Sequence, residues 1–214
     1  GFNTASGYQA LEANTTGSTN TAMGRGALGA NTSGNLNVAI GAFALAGNVS
    51  SASNVAVGNQ ALEKNTATGS TAVGYLALAA NTSATGNTAI GYAALDAATT
   101  GNNTAIGYNA LGTTTGADST AVGYQALLLN TAAGSTAVGS GALDANTSGV
   151  GNTAVGYAAL TANTTSGDST AVGYNALALN TAAGSTAVGS GALDANTSGA
   201  ANTAVGYTAL SAIS

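Results

Sequence analysis

Acidic side chains are the groups in this sequence that could most directly do chemistry. Two carboxylates held close together can act as acid and base in glycoside hydrolysis, and a cluster of them can bind calcium. The seven acids are Glu12, Glu63, Asp96, Asp144 and Asp194, with Asp118 and Asp168 at a second position of a repeated motif. Neighbouring repeats never carry an acid at the same position, and no base or nucleophile accompanies them. The sequence therefore predicts no catalytic residue, no cofactor and no metal site.

The composition excludes further classes of function. Only 4% of the 214 residues are charged, Lys and Arg together number 2, and His, Cys, Pro and Trp are absent. Without Cys or His there is no disulfide framework, no thiol chemistry, no Cys/His zinc site and no histidine acid–base catalysis. Two cations cannot neutralise a phosphate backbone, so nucleic-acid binding is not expected. No apolar run is long enough for a membrane span, so membrane insertion is not expected either.

The whole chain is one short repeat, N/S-T-A-V/I-G-Y-x-A-L-x-x-N-T followed by a turn. Thirteen motif glycines follow one another at spacings of 16 or 17 residues: Gly7, Gly24, Gly41, Gly58, Gly74, Gly91, Gly107, Gly123, Gly139, Gly156, Gly173, Gly189 and Gly206. A longer period is also present, since residues 118–149 recur at 168–199 with only two changes. A unit this short is typical of one coil of a β-solenoid. The prediction is an all-β, parallel β-solenoid of thirteen coils in a single domain, residues 1–214, each coil having two short strands and two turns.

Stacked coils turn each motif position into a column whose variation indicates burial. Val38 and Val55 replace Thr three positions before the glycine, which indicates that the Thr and Val columns of the strand face inward. The Ala between them should then face outward, yet it is invariant, and so are the Ala and Leu that follow the glycine. Two constrained faces in so thin a coil predict a second copy packed against the Ala column, with intertwined chains that form one shared triple β-helix as the alternative. The predicted assembly face is Ala72, Ala89, Ala105, Ala121, Ala137, Ala154 and Ala171.

Two Asn columns have a structural interpretation. Stacked amides can bond one another along a column, as in cross-β ladders, and Asn suits turns. The alternative is N-glycosylation, because eight N-x-S/T sequons occur, among them those at Asn14 and Asn146. The repeat itself requires Asn-Thr, so the amide ladder is favoured.

All eight tyrosines lie directly after a motif glycine. Four consecutive coils carry Tyr75, Tyr92, Tyr108 and Tyr124, which form a predicted surface aromatic strip. An aromatic ladder that shields the turn is favoured, and a stacking strip for sugar rings or a host surface is the alternative.

The motif N-T-A-V-G-Y-x-A-L resembles the N-S-V-A-I-G-type repeat of the YadA-like heads of trimeric autotransporter adhesins. It is also similar to the N-T-A-[VI]-G-Y-x-A-L arrays of bacteriophage tail-fibre-like proteins. The resemblance covers all thirteen coils and implies a left-handed β-roll, a side-by-side homotrimer and a fibrous adhesin at a cell surface or on a virion. The coils are longer than the usual YadA-type unit, and nothing resembles a neck, stalk or anchor, which favours a phage-fibre or other extracellular fibre.

The leading hypothesis is therefore a non-enzymatic structural and adhesive fibre segment, partnered by itself and by a host cell-surface receptor or glycan. One alternative is a homopolymeric extracellular filament stacking end to end, because neither end of the sequence carries a capping element. A second alternative is an ice-binding solenoid, in which the Thr column would form a regular array. The inward orientation predicted for that column speaks against it.

Overall fold

The computed structural model describes residues 1–113 and 116–211, and the remaining residues of the predicted 1–214 domain lie outside them. The predicted all-β parallel β-solenoid is confirmed, and the described residues contain no helix. Contacts divide the chain into two compact units, Gly1–Ile106 and Gly107–Ser214.

Each coil contributes one strand of three residues. In the first unit these are β1 (Thr4–Ser6), β2 (Thr21–Met23), β3 (Val38–Ile40), β4 (Val55–Val57), β5 (Thr71–Val73), β6 (Thr88–Ile90) and β7 (Thr104–Ile106). In the second unit they are β8 (Thr120–Val122), β9 (Thr136–Val138), β10 (Thr153–Val155), β11 (Thr170–Val172), β12 (Thr186–Val188) and β13 (Thr203–Val205). Within each unit every strand pairs in parallel with the next, so that identical motif positions lie side by side.

The predicted second strand of each coil is not observed in the described residues. In its place the Ala-Leu segment forms a turn in which the leucine has a left-handed backbone, with φ between 49° and 53° from Leu11 to Leu210. This conformation costs a non-glycine residue about 1–2 kcal/mol. Burial offsets that cost, since the side chains from Leu28 to Leu193 are fully buried, and full burial of a leucine contributes about 1.5–3 kcal/mol.

The left-handed turn also explains why Ala and Leu can both be invariant. Neighbouring residues face opposite sides only in an extended strand. At Ala126 and Leu127 the chain is not extended, and both side chains are completely buried inside the same coil. The backbone N–H of Leu127 still donates to the carbonyl oxygen of Ala142 in the next coil at 3.0 Å. The inter-coil ladder thus continues through the turn.

The motif glycine directly follows the strand and begins this turn, as predicted. Its φ lies between 130° and 142° in all thirteen coils, a region that strains other residues. At Gly123 an added Cβ would lie 2.5 Å from the carbonyl oxygen of Gly139 in the next coil. Backbone conformation and close stacking therefore both require glycine in this column.

Candidate functional site: the outer strand face and the tyrosine ladder

The strand Ala column lies inside the chain's own core, which corrects the predicted assembly face. All seven predicted residues are fully buried within one chain: Ala72, Ala89, Ala105, Ala121, Ala137, Ala154 and Ala171. The prediction was wrong because it assumed that the Ala-Leu segment was extended and so needed a second packed face. With both Ala and Leu turned inward, the small strand Ala closes the opposite side of the same narrow core. These alanines cannot contact a neighbouring copy.

The Thr and Val columns consequently face outward, contrary to the predicted inward orientation. In β9, Thr136 is half-buried, Ala137 is buried and Val138 is 37% exposed. The column one position before the glycine remains apolar in twelve coils although it faces outward, and Ile40, Ile90 and Val188 are 38–40% exposed. No strand residue is charged. Each unit therefore presents an uncharged sheet face, half of it apolar, that its own chain leaves partly exposed.

The second Asn column forms the predicted amide ladder. Asn31 Nδ2 donates to Asn14 Oδ1 at 2.9 Å, and Asn163 Nδ2 donates to Asn146 Oδ1 at 3.1 Å. The first column also bonds between coils, since the backbone N–H of Asn37 donates to Asn20 Oδ1 at 3.0 Å. Because Asn146 is fully buried in this network, its sequon is inaccessible in the folded chain.

The amide ladder is interrupted where a coil has 16 residues rather than 17. In the shorter coils Asn65 and Asn180 donate to the carbonyl oxygen two residues ahead, at 2.7 Å and 2.6 Å. Asn48 and Asn163, one coil earlier, then keep an Oδ1 that is buried without a hydrogen-bond partner. The length of the turn thus decides whether an amide bonds along the column or within its own coil.

The seven acids are distributed over separate coils of the solenoid. In the described parts of the chain, no three His, Cys, Asp or Glu side chains lie close enough together to hold a metal ion. Burial raises the pKa of the Asp96 carboxyl, and the positive charge of Lys64 partly opposes this effect. Asp144 accepts a 2.8 Å hydrogen bond at Oδ1 from the Thr161 hydroxyl in the following coil.

The tyrosines form an exposed ladder beside the turn. Tyr75 and Tyr92 have ring centroids 5.3 Å apart at 31° in the first unit. In the second unit Tyr108 and Tyr124 stack at 5.3 Å and 13°. All four rings of the predicted aromatic strip are 44–53% exposed. Stacking leaves enough of each ring uncovered to contact another molecule.

A cavity interrupts this ladder in the second unit, where the sequence has Ser140 in place of tyrosine. Its volume is about 210 Å³. The lining consists of Tyr124, Gln125, Ser140, Gly141, Asp144, Tyr157, Ala158 and Thr161. The sequence prediction of a four-residue strip missed this place, although serine in a tyrosine column was the available signal.

Comparison of the chain with protein-family models, with curated protein sequences and with solved structures finds no match. Within residues 1–113 and 116–211, no helix has the length and apolar character needed to cross a lipid bilayer.

Proposed function

We propose that the protein is a structural and adhesive segment of an extracellular fibre, at a cell surface or on a virion, and that it performs no catalysis. In this proposal three copies associate side by side through their outer strand faces, each chain forming a left-handed β-roll. The number of copies and the handedness follow the resemblance to trimeric adhesin heads and phage fibres.

The observation that carries the proposal is the outward apolar column of the strands. Strand propensity alone would accept Thr as readily as Val or Ile at an exposed position, so a column that is Val, Ile or Met in twelve of thirteen coils supports a partner surface. Charged residues are depleted at the centre of protein interfaces, and this face has none. The parallel strands place these side chains in register, so two copies can meet along consecutive coils. Val122, Val138 and Val155 are three neighbouring members of this column.

The test is the mass of the assembly in solution. Sedimentation equilibrium of the unaltered protein should give three times the chain mass of 19.9 kDa. Lysine at Val122, Val138 and Val155 together should yield monomers, because burying unpaired charge in an interface costs several kcal/mol.

A matched variant carries the same three added charges away from the strand face. Ala133, Ser148 and Thr165 are exposed residues of the turns, and lysine at these positions should leave the trimer intact. A monomeric unaltered protein would contradict the proposed assembly, and so would a trimer formed by the strand-face variant.

Ice binding is a second candidate, favoured by the outward orientation of the Thr column. Thr120, Thr136 and Thr153 lie in register on parallel strands, about 4.8 Å apart per coil. This array occupies the same face as the proposed trimer contact, so the two functions exclude each other. Thermal hysteresis from a monomeric protein, lost when Thr136 is replaced by Lys, would favour ice binding over the fibre.

A further inference from the structure

The tyrosine ladder of the second unit lacks one ring between two that are present. Tyr124 and Tyr157 stand two coils apart, and the coil between them carries Ser140 followed by Gly141. Each flanking ring is backed on its far side by another tyrosine, Tyr108 or Tyr174, at a centroid distance of 5.3 Å. The rings stack at only 10–13°, so Tyr124 and Tyr157 present their faces to the gap.

The dimensions of the gap suit one puckered ring. Two coils span about 10 Å, so a guest between the two tyrosines has a ring face about 5 Å from its centre on each side. Carbon atoms make their best contacts at about 3.5–4 Å. A flat ring centred in the gap would lie at about the 5.3 Å centroid spacing of the existing ladder pairs and would make only offset stacking contacts. A saturated six-membered ring, whose axial hydrogens project from both faces, reaches both tyrosine rings.

The remaining lining supplies hydrogen-bonding groups rather than a second apolar surface. Gln125 offers an amide that donates and accepts, and Ser140 offers a hydroxyl. Asp144 uses one carboxylate oxygen for Thr161, and the described residues place no hydrogen bond on the other. Gly141 leaves its side of the gap unoccupied, since a Cβ added there would have no atom within 4 Å. Such a mixture of donors and acceptors suits ring hydroxyl groups, and the carboxylate disfavours an anionic guest.

The 50-residue period creates the same gap a second time, but one side chain crowds it. Tyr174, Ser190, Asp194 and Tyr207 repeat the arrangement. Thr208 stands where the first gap has Ala158, and its Cγ2 would lie 3.3 Å from a Cβ placed at Gly191. Gly191 is consequently buried, whereas Gly141 remains accessible. The duplication thus provides an internal comparison between an open gap and a narrowed one.

We infer that the open gap binds one uncharged pyranose ring of a glycan between the faces of Tyr124 and Tyr157. Asp144, Gln125 and Ser140 bond the hydroxyl groups of that sugar. This deepens the proposed adhesive role by naming the ligand class and the place where it binds. The sugar ring occupies the position that a tyrosine ring occupies in the neighbouring coils.

The decisive variant is Ser140→Tyr, which completes the ladder with the residue that most coils already carry. It should fold at least as stably as the unaltered protein, because it adds two stacking contacts. The probes are the methyl pyranosides of glucose, galactose, mannose and N-acetylglucosamine at millimolar concentration. Saturation-transfer NMR detects their ring protons. Tyrosine fluorescence is a second readout, because the chain has no Trp and two of its eight tyrosines, Tyr124 and Tyr157, border the gap. At least one glycoside should bind, and Ser140→Tyr should abolish binding.

Two further variants test the walls of the gap. Tyr157→Ser removes one face of the gap and should weaken binding about tenfold, the value of one stacking contact. Ala158→Thr copies the steric crowding of the second gap and should also weaken binding. Tyr75→Ser is the matched control, because it removes an exposed ladder tyrosine that does not border the gap, and binding should be unchanged.

The inference is overturned if no neutral pyranoside binds, or if the Ser140→Tyr variant still binds the sugar. It is also overturned if tetramethylammonium binds the unaltered protein more tightly than the sugars do and this binding is lost in the Ser140→Tyr variant. The last result would identify a cation cage instead. Measuring the assembly mass of the same samples separates the two proposals. A trimer without sugar binding contradicts only the sugar site, and a monomer that binds sugar contradicts only the assembly.

Discussion

Asn146 Nδ2 donates a 2.8 Å hydrogen bond to Asn130 Oδ1, one coil earlier in the same column. Asn146 also donates to the carbonyl oxygen of Gly149, and its Oδ1 accepts from the Gly149 N–H and from Asn163 Nδ2. The side chain of Asn163 bonds only through Nδ2, and its Oδ1 is buried without a partner. Two asparagines in one column, one coil apart, therefore contribute unequally to the fold.

This inequality predicts the cost of removing each amide. Asn146→Ala should lower the free energy of unfolding by about 3 kcal/mol, because it breaks four hydrogen bonds and leaves buried groups unpaired. Asn163→Ala should cost about 1 kcal/mol, since the same change also removes an oxygen that was already unpaired. Urea denaturation followed by circular dichroism measures both, and equal costs would show that the ladder does not stabilise the coil stack.

The motif glycine should not tolerate a methyl group. Gly123→Ala should destabilise the protein by more than about 3 kcal/mol, because its Cβ would meet the carbonyl of Gly139 at 2.5 Å in an unfavourable backbone region. Gly134 is the matched control, with a φ of +71° and no atom within 4 Å of an added Cβ. Gly134→Ala should cost only about 1 kcal/mol. Thermal melting that ranks the two variants the other way would contradict this account of the stack.

The strand Ala column should behave as core. Ala137→Leu should lower the free energy of unfolding by at least about 1–3 kcal/mol, since the narrow interior has no room for three additional carbon atoms. Ala133→Leu makes the same change at an exposed turn position and should alter the unfolding free energy by less than about 0.5 kcal/mol. Chemical denaturation of the two variants gives the comparison, and a fully tolerated Ala137→Leu would place that column outside.

The Asp96 carboxyl should make stability depend on pH. Because the pKa of Asp96 is raised in the folded state, the folded protein binds this proton more tightly than the unfolded chain does. The free energy of unfolding therefore falls as the pH rises from the normal pKa of 3.8 through the raised pKa. Asp96→Asn should therefore be neutral below that window. Near pH 7 it should raise the unfolding free energy by less than about 1 kcal/mol, since the group is only half-buried.

The control for this effect removes one negative charge elsewhere. Glu12 is exposed, and Glu12→Gln should not reproduce the gain at neutral pH. Midpoints of urea denaturation between pH 3 and pH 8 are the measurement (about five pH values suffice to define the slope). A gain of equal size in both variants would attribute the effect to net charge rather than to burial of Asp96.

The sequence by itself determined the β-solenoid, the number and length of its coils, the turn at each motif glycine and the amide ladder. Each of these depends on recurrence alone, because residues one coil apart become neighbours in space whatever the path within the coil. The absence of His and Cys likewise followed directly from composition. The columns that contain Gly123 and Asn146 could be recognised in the sequence because the same residue type recurs from coil to coil.

Only the tertiary structure decided which side of the strand is inside. Alternation in an extended chain placed Ala137 outside and Val138 inside, but the left-handed backbone of Leu143 turns Ala142 and Leu143 to the same side. A positive φ at leucine is locally unfavourable and leaves no mark in the amino-acid sequence, because it is stabilised by burial and by the hydrogen bond to the next coil. The gap at Ser140 had a sequence signal, yet its depth depends on how adjacent coils stack.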